Sequence, residues 1–308
     1  MPSFKSKMFN FLMRNRHLLQ GKLKREVFDL NTSIEDFREQ CEKGARKYEK
    51  IPGGIEIKGE SIDGIRSEWI IPQDANRNNL VLYVHGGGYV SGSCSDHRGF
   101  VSKFADKCGV TCLQFEYRLA PEHVFPAAVD DSVALYTCLL NRGFKPGNII
   151  IAGESAGGGL SLAILLALKE QHIPMPSAAV AISPWADLTC SSDSYRTKGK
   201  VSVAPKNSWQ VFSKHYRGDN PPDLPLISPL FGDLEGLPPV FINSAEDDEL
   251  FEDGEKFFQK AKSAGVDITF RAGKGMVHCY PLLAPMFREA TEALEEICSF
   301  INGHIGKD

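Results

Sequence analysis

Asn148-Ile-Ile-Ile-Ala-Gly-Glu-Ser155-Ala-Gly-Gly-Gly-Leu-Ser-Leu-Ala-Ile-Leu-Leu-Ala-Leu168 runs from a short β-branched segment through a G-x-S-x-G turn into a long apolar segment. Ile149–Ala152 is too short for a helix and reads as a buried strand, whereas the thirteen residues from Ala156 to Leu168 are long enough for a buried helix. A serine on a strand-to-helix turn is thrust out at the carboxyl edge of a sheet. The glycines at 153 and 157 let neighbouring backbone pass close to it. The helix that follows aims its N-terminus at the serine, which favours negative charge developing there. The motif alone is weak and fits a Gly-rich turn kept for packing; the strand before it and the helix after it make Ser155 a candidate nucleophile.

Outward from this unit, strands alternate with helices. Further β-rich runs lie at Ser67–Ile71, Leu80–Val84, Thr111–Phe115, Ala178–Ile182, Val240–Ser244 and Asp267–Arg271. Helix-length segments occupy Asp96–Cys108, Pro126–Leu140 and Glu252–Ala264, and Pro285–Ile301 closes the chain. This alternation predicts an α/β fold with a mostly parallel central sheet covered by helices on both faces. Residues 187–238 break it with polar, Pro-rich sequence around one helical patch, read as an insertion over the active edge. Residues 1–50 read as helical: Met8, Leu12, Leu19, Leu23 and Val27 recur at near-helical spacing, and Thr32 or Ser33 offers an N-cap to a second helix. The expected organisation is N-terminal cap helices at 1–50 and a catalytic domain at 51–308 that carries the insertion.

Composition sets bounds on the rest. The 308 residues are 42% hydrophobic and 24% charged with a formal net charge of −4, which excludes disorder and gives no bulk basicity for nucleic acid. The charge is uneven: Lys5, Lys7, Arg14, Arg16, Lys22, Lys24 and Arg25 face no acid in the first 25 residues. That segment permits weak peripheral membrane contact; the alternative is a cap helix with solvated charges. Met8–Met13 is short, broken by Asn10 and lacks a small-residue cleavage site, so it is a poor signal peptide. The eight scattered cysteines form no C-x-x-C pair, and free thiols in a reducing cytoplasm are expected.

A second signal is independent of the serine. His85-Gly86-Gly87-Gly88 follows the strand Leu80–Val84. Gly86, Gly87 and Gly88 leave N–H groups bare enough to approach a ligand oxygen as candidate oxyanion donors, and acyl transfer needs such donors, each worth roughly 3–4 kcal/mol of barrier. A phosphate cradle fits worse, because no Lys-Ser/Thr pair follows the glycines as in a P-loop and the G-x-G-x-x-G spacing is absent. In this architecture the chain order is Ser, acid, His. Of the histidines after Ser155, His172 precedes any acid-bearing strand end, His215 lies in the insertion and His304 in the tail, which leaves His278 as base. Its acid should follow Val240–Ser244, where Glu246, Asp247, Asp248 and Glu249 stand in a row.

These residues together resemble the hormone-sensitive-lipase-like carboxylesterases of the α/β-hydrolase fold. The blocks that carry the resemblance are His85–Gly88, Tyr117–His123 with Phe125–Ala128, Gly153–Gly158, Asp248–Leu250 with Gly254, Ser183–Thr189 and Ser228–Phe231. It covers about residue 50 to the C-terminus. The resemblance implies that the acid opens an Asp-x-Leu block, which selects Asp248 over the fallback Asp247. It assigns the oxyanion donors to Gly87, Gly88 and Ala156, and it implies a cap made of the N-terminal helices and the insertion. The chain departs from the family at Glu154, where Asp or Thr is usual, at Glu249 in place of Pro, and at Cys279-Tyr280 after the base. Cys279 beside the base would make activity sensitive to thiol reagents.

The reading is a serine esterase acting on short- to medium-chain acyl esters, with a small ester as its partner and no metal or organic cofactor. The same residues would serve an amidase or formamidase, and a non-catalytic receptor on this scaffold would lack the base. Trp209, Phe212 and Tyr216 form one helical stripe in the insertion, read either as cap packing or as the acyl-pocket lining. Arg118, Glu122 and His123 are read as structural hydrogen-bonding ties of the loop over the sheet, with catalytic roles as the alternative. No feature sets an oligomeric state.

Overall fold

A computed structural model describes residues 2–19, 21 and 23–306. The strands are β1 (Ile55–Ile62), β2 (Ile65–Pro72), β3 (Asn76–Val84), β4 (Val110–Phe115), β5 (Ile149–Glu154), β6 (Ala178–Ile182), β7 (Val240–Ala245) and β8 (Ile268–Gly273). The helices are α1 (Phe4–Arg14), α2 (Arg16–Leu19), α3 (Ile34–Tyr48), α4 (Cys94–Cys108), α5 (Ala127–Asn141), α6 (Ala156–Glu170), α7 (Asp193–Thr197), α8 (Ser208–Arg217), α9 (Phe251–Ser263) and α10 (Arg288–His304). The strands form one sheet in the order β1-β2-β4-β3-β5-β6-β7-β8, antiparallel through β1, β2 and β4 and parallel from β4 onward.

Strand pleating sorts the core into two layers. In β5, Ile149 and Ile151 face one layer while Ile150 and Ala152 face the other. The first layer packs under α5 and α6, the second under α4 and α10. Helix α6 is buried from Ala156 to Leu168, as its almost wholly apolar sequence requires, and its one hydroxyl there, Ser161, donates to the Gly157 carbonyl. Each leucine or isoleucine taken fully out of water there contributes about 1.5–3 kcal/mol.

The structure corrects three expectations. It adds β1, whose charged, glycine-interrupted sequence hides an edge strand paired to β2, with Ile62 buried in the core and Glu60 accepting from Trp69 Nε1 (2.6 Å). The continuous helical pattern at the N-terminus is broken: α1 ends at Arg14 with Asn15 as its cap, α2 is a single turn, and Val27 bridges to Lys206 of the insertion. Met8, Leu12, Leu23 and Val27 are exposed, and α1 buries Ser6 and Asn10 instead. Lys22 of the basic segment lies outside the described residues. The third correction concerns thiols, because Cys108 and Cys298 are joined in a disulfide. Helices α4 and α10 lie side by side on one sheet face, which brings together two residues 190 apart in sequence. Cys41, Cys94, Cys112, Cys138, Cys190 and Cys279 are free.

Candidate active site

The turn after β5 holds Ser155 at φ 57°, ψ −123°, left-handed backbone that a serine occupies at a cost of about 1–3 kcal/mol. Its N–H donates to the Ile182 carbonyl (2.8 Å), and its own carbonyl accepts from Trp185 (2.9 Å) and Gly159 (3.0 Å), so backbone ties outweigh the strain. Gly157 is obligatory: a Cβ there would sit 2.1 Å from the Val84 carbonyl oxygen.

His278 follows β8. Its Nε2 lies 2.9 Å from Ser155 Oγ and its Nδ1 2.5 Å from Asp248 Oδ2. Burial works against a charged ring, but the adjacent Asp248 charge outweighs it and holds the His278 pKa well above the ordinary histidine value. Of the four carboxylates after β7, Asp248 alone reaches the imidazole. Asp247 turns outward to Arg14 (2.5 Å). Glu249 accepts from Trp209 Nε1 (3.1 Å), and burial, helped by the neighbouring Asp248 charge, pushes its pKa up.

The glycine loop abuts the serine, since a Cβ on Gly86 would lie 3.1 Å from Ser155 Cβ. Gly86 departs from the expected donor role because its N–H donates to Glu154 Oε1 (2.5 Å). The N–H groups of Gly87 and Gly88 make no hydrogen bond among the described residues, and that of Ala156 opens α6, where N–H groups lack helical partners.

Glu154 was legible only as a departure in the motif, and its surroundings were not legible at all. It also accepts a hydrogen bond from the Tyr83 hydroxyl and lies 2.9 Å from His97 Nε2, while His97 Nδ1 lies 2.8 Å from Asp96. Burial opposes charge on His97, but Glu154 and Asp96 outweigh it and raise its pKa to about 10. His85, deeply buried and stacked on Tyr117 at 4.2 Å, is instead lowered to about 4.

The α8 stripe divides. The Trp209 ring lies 5.5 Å from His278, edge to face, and Phe212 covers Gly88, where a Cβ would approach its ring to 2.4 Å. Phe28 and Phe37 pack on Phe212 at 5.6 and 5.4 Å. Tyr216 instead stacks on Tyr89 at 3.7 Å. Arg118 pairs with Asp131 and Glu122 with Arg38, both structural ties. Cys279 is buried, which raises its thiol pKa and argues against ready attack by thiol reagents.

Sequence and structure comparisons agree on kinship. The family described as alpha/beta hydrolase fold matches residues 81–282. An acetyl-hydrolase of Streptomyces hygroscopicus is 38% identical over 242 residues, 78% of this chain and 81% of that protein. An esterase of Acinetobacter venetianus is 36% identical over 248 residues, 80% of this chain and 82% of its own length. The crystal structure of an esterase from the bacterial hormone-sensitive lipase family superposes with a TM-score of 0.90 at 33% identity, covering 99% of this chain and 100% of that one. EstE5 soaked with p-nitrophenyl butyrate gives 0.89 at 34% identity, covering 98% and 99%.

Proposed function

Because this chain belongs to the hormone-sensitive-lipase-like esterases of the α/β-hydrolase fold, we propose that its ester hydrolysis runs through Ser155, His278 and Asp248 on short- to medium-chain acyl esters. His278 Nε2 takes the proton of Ser155 Oγ as the oxygen bonds to the ester carbonyl carbon. The carbonyl π electrons move onto oxygen, which accepts from the N–H groups of Gly87, Gly88 and Ala156. Collapse breaks the bond to the alkoxy oxygen, which leaves with the proton from His278. Water then repeats the sequence on the acyl-enzyme and frees Ser155. Asp248 holds the imidazole in the tautomer whose Nε2 is the acceptor.

The observation that carries this reading is the unbroken chain Ser155–His278–Asp248 at 2.9 and 2.5 Å. Phe212 over Gly88, backed by Phe28 and Phe37, supports an acyl site of limited depth. A panel of p-nitrophenyl esters of increasing acyl length, run beside Ser155→Ala, tests it. Activity should peak at short to medium chains and fall by a factor on the order of 10,000 to 1,000,000 in kcat without the serine. A Ser155→Ala enzyme within tenfold of the parent sinks the assignment, and comparable kcat/KM on p-nitroanilides would transfer it to amides.

A further inference from the structure

Helix α1 has two faces of opposite use. At about 100° per residue, Ser6, Asn10 and Arg14 fall on one side and Phe4, Met8, Phe11 and Leu12 on the other. The first side is riveted to the enzyme. Asn10 Nδ2 donates to the Gly275 carbonyl (2.8 Å) in the loop that carries His278, and Arg14 pairs with Asp247, next to Asp248. The second side is bare: Phe4 is 80% exposed, Met8 50%, Phe11 66% and Leu12 42%. Lys5 and Lys7, both exposed, border this apolar stripe on its two flanks, and no acid occurs before Glu26.

We propose that the outward face of α1 docks on an anionic lipid surface. The stripe enters the headgroup–acyl boundary while Lys5 and Lys7 meet lipid phosphates, the pattern of an in-plane amphipathic helix. Charge decides the occupant. A second copy seated symmetrically on this face would bring like-charged lysines together, because a two-fold contact repeats the same patch on both sides. An anionic headgroup layer neutralises them. Docking there sets the loops of Asp248 and His278 behind the helix that touches the lipid. The proposal concerns binding and stands apart from the catalytic assignment.

Co-sedimentation of the full chain with phosphatidylcholine vesicles, with and without phosphatidylglycerol, tests it at low salt. The parent should sediment with the anionic vesicles and be released by salt. Phe11→Ser/Leu12→Ser should weaken binding at least about tenfold, from the lost apolar burial. Lys5→Glu/Lys7→Glu should abolish the preference for anionic over neutral vesicles. Both variants should hydrolyse soluble p-nitrophenyl acetate at the parental rate, which reports an intact fold. Failure of the parent to sediment, or undiminished binding by Phe11→Ser/Leu12→Ser, overturns the proposal. So does a concentration-dependent dimer in light scattering that this variant dissociates without any vesicle binding, which would assign the face to a second copy.

Discussion

At Ser155, His278 and Asp248, chemistry and placement answer to different causes. The residue types are what proton transfer at a serine hydroxyl calls for, and the motifs named two of the three from the chain alone. The choice among Glu246, Asp247, Asp248 and Glu249 needed either the family resemblance or the coordinates, because four adjacent carboxylates look alike in one dimension. Only folding gives Asp247 to Arg14 and Asp248 to His278. Gly86 shows the same limit: a run of three glycines reads as three equivalent donors until the Glu154 carboxylate takes one of them. The raised pKa of His278 carries a kinetic consequence. A protonated ring cannot accept the serine proton, so kcat/KM should rise with pH along a limb lying above the ordinary value of about 6.5. Asp248→Asn removes the charge responsible. That variant should move the limb to lower pH and cost about 10,000-fold in kcat. A limb unmoved by the substitution would show that Asp248 does not set the titration.

Among the elements, strength of pattern decided what could be read. β5, its turn and α6 were legible because burial on every side leaves a nearly continuous apolar run broken mainly at the turn itself. β1 was not, since Gly59 and the charged residues on its exposed side interrupt the run of isoleucines that packs inward. Helix α1 reads with its faces reversed: its polar side meets a loop carbonyl and a carboxylate, so hydrogen bonding, together with Phe9 packed on Phe287, seats it. In α8 the stripe was found, but helical spacing does not say which residues reach the site. Trp209 lies against His278 and Phe212 over Gly88, whereas Tyr216 belongs to the stack with Tyr89. Trp209→Ala should therefore shift the preferred p-nitrophenyl ester toward longer acyl chains. An unchanged chain-length profile would confine Trp209 to packing around the imidazole.

For the whole molecule, the sheet order is what assembles the site. Parallel strands β3, β5, β7 and β8 all point their carboxyl ends to one edge, and the glycine loop, Ser155, Asp248 and His278 each follow one of them. The same packing of helices across a sheet face unites Cys108 with Cys298, which no spacing rule would pair. Maleimide labelling of the denatured, unreduced protein should add six labels by mass, and eight after reduction. Eight without reductant would remove the disulfide from the account. By itself the amino-acid order determined the alternating strands and helices, the strand-to-helix turn at Ser155 and the glycine loop. These are local consequences of periodicity, glycine freedom and side-chain chemistry, each contained in a few neighbouring residues. Tertiary structure alone decided which carboxylate faces His278, which glycine amide is already engaged, which cysteines meet and which side of α1 is left bare. Each of those depends on a partner brought from a distant part of the chain, and only packing places it there.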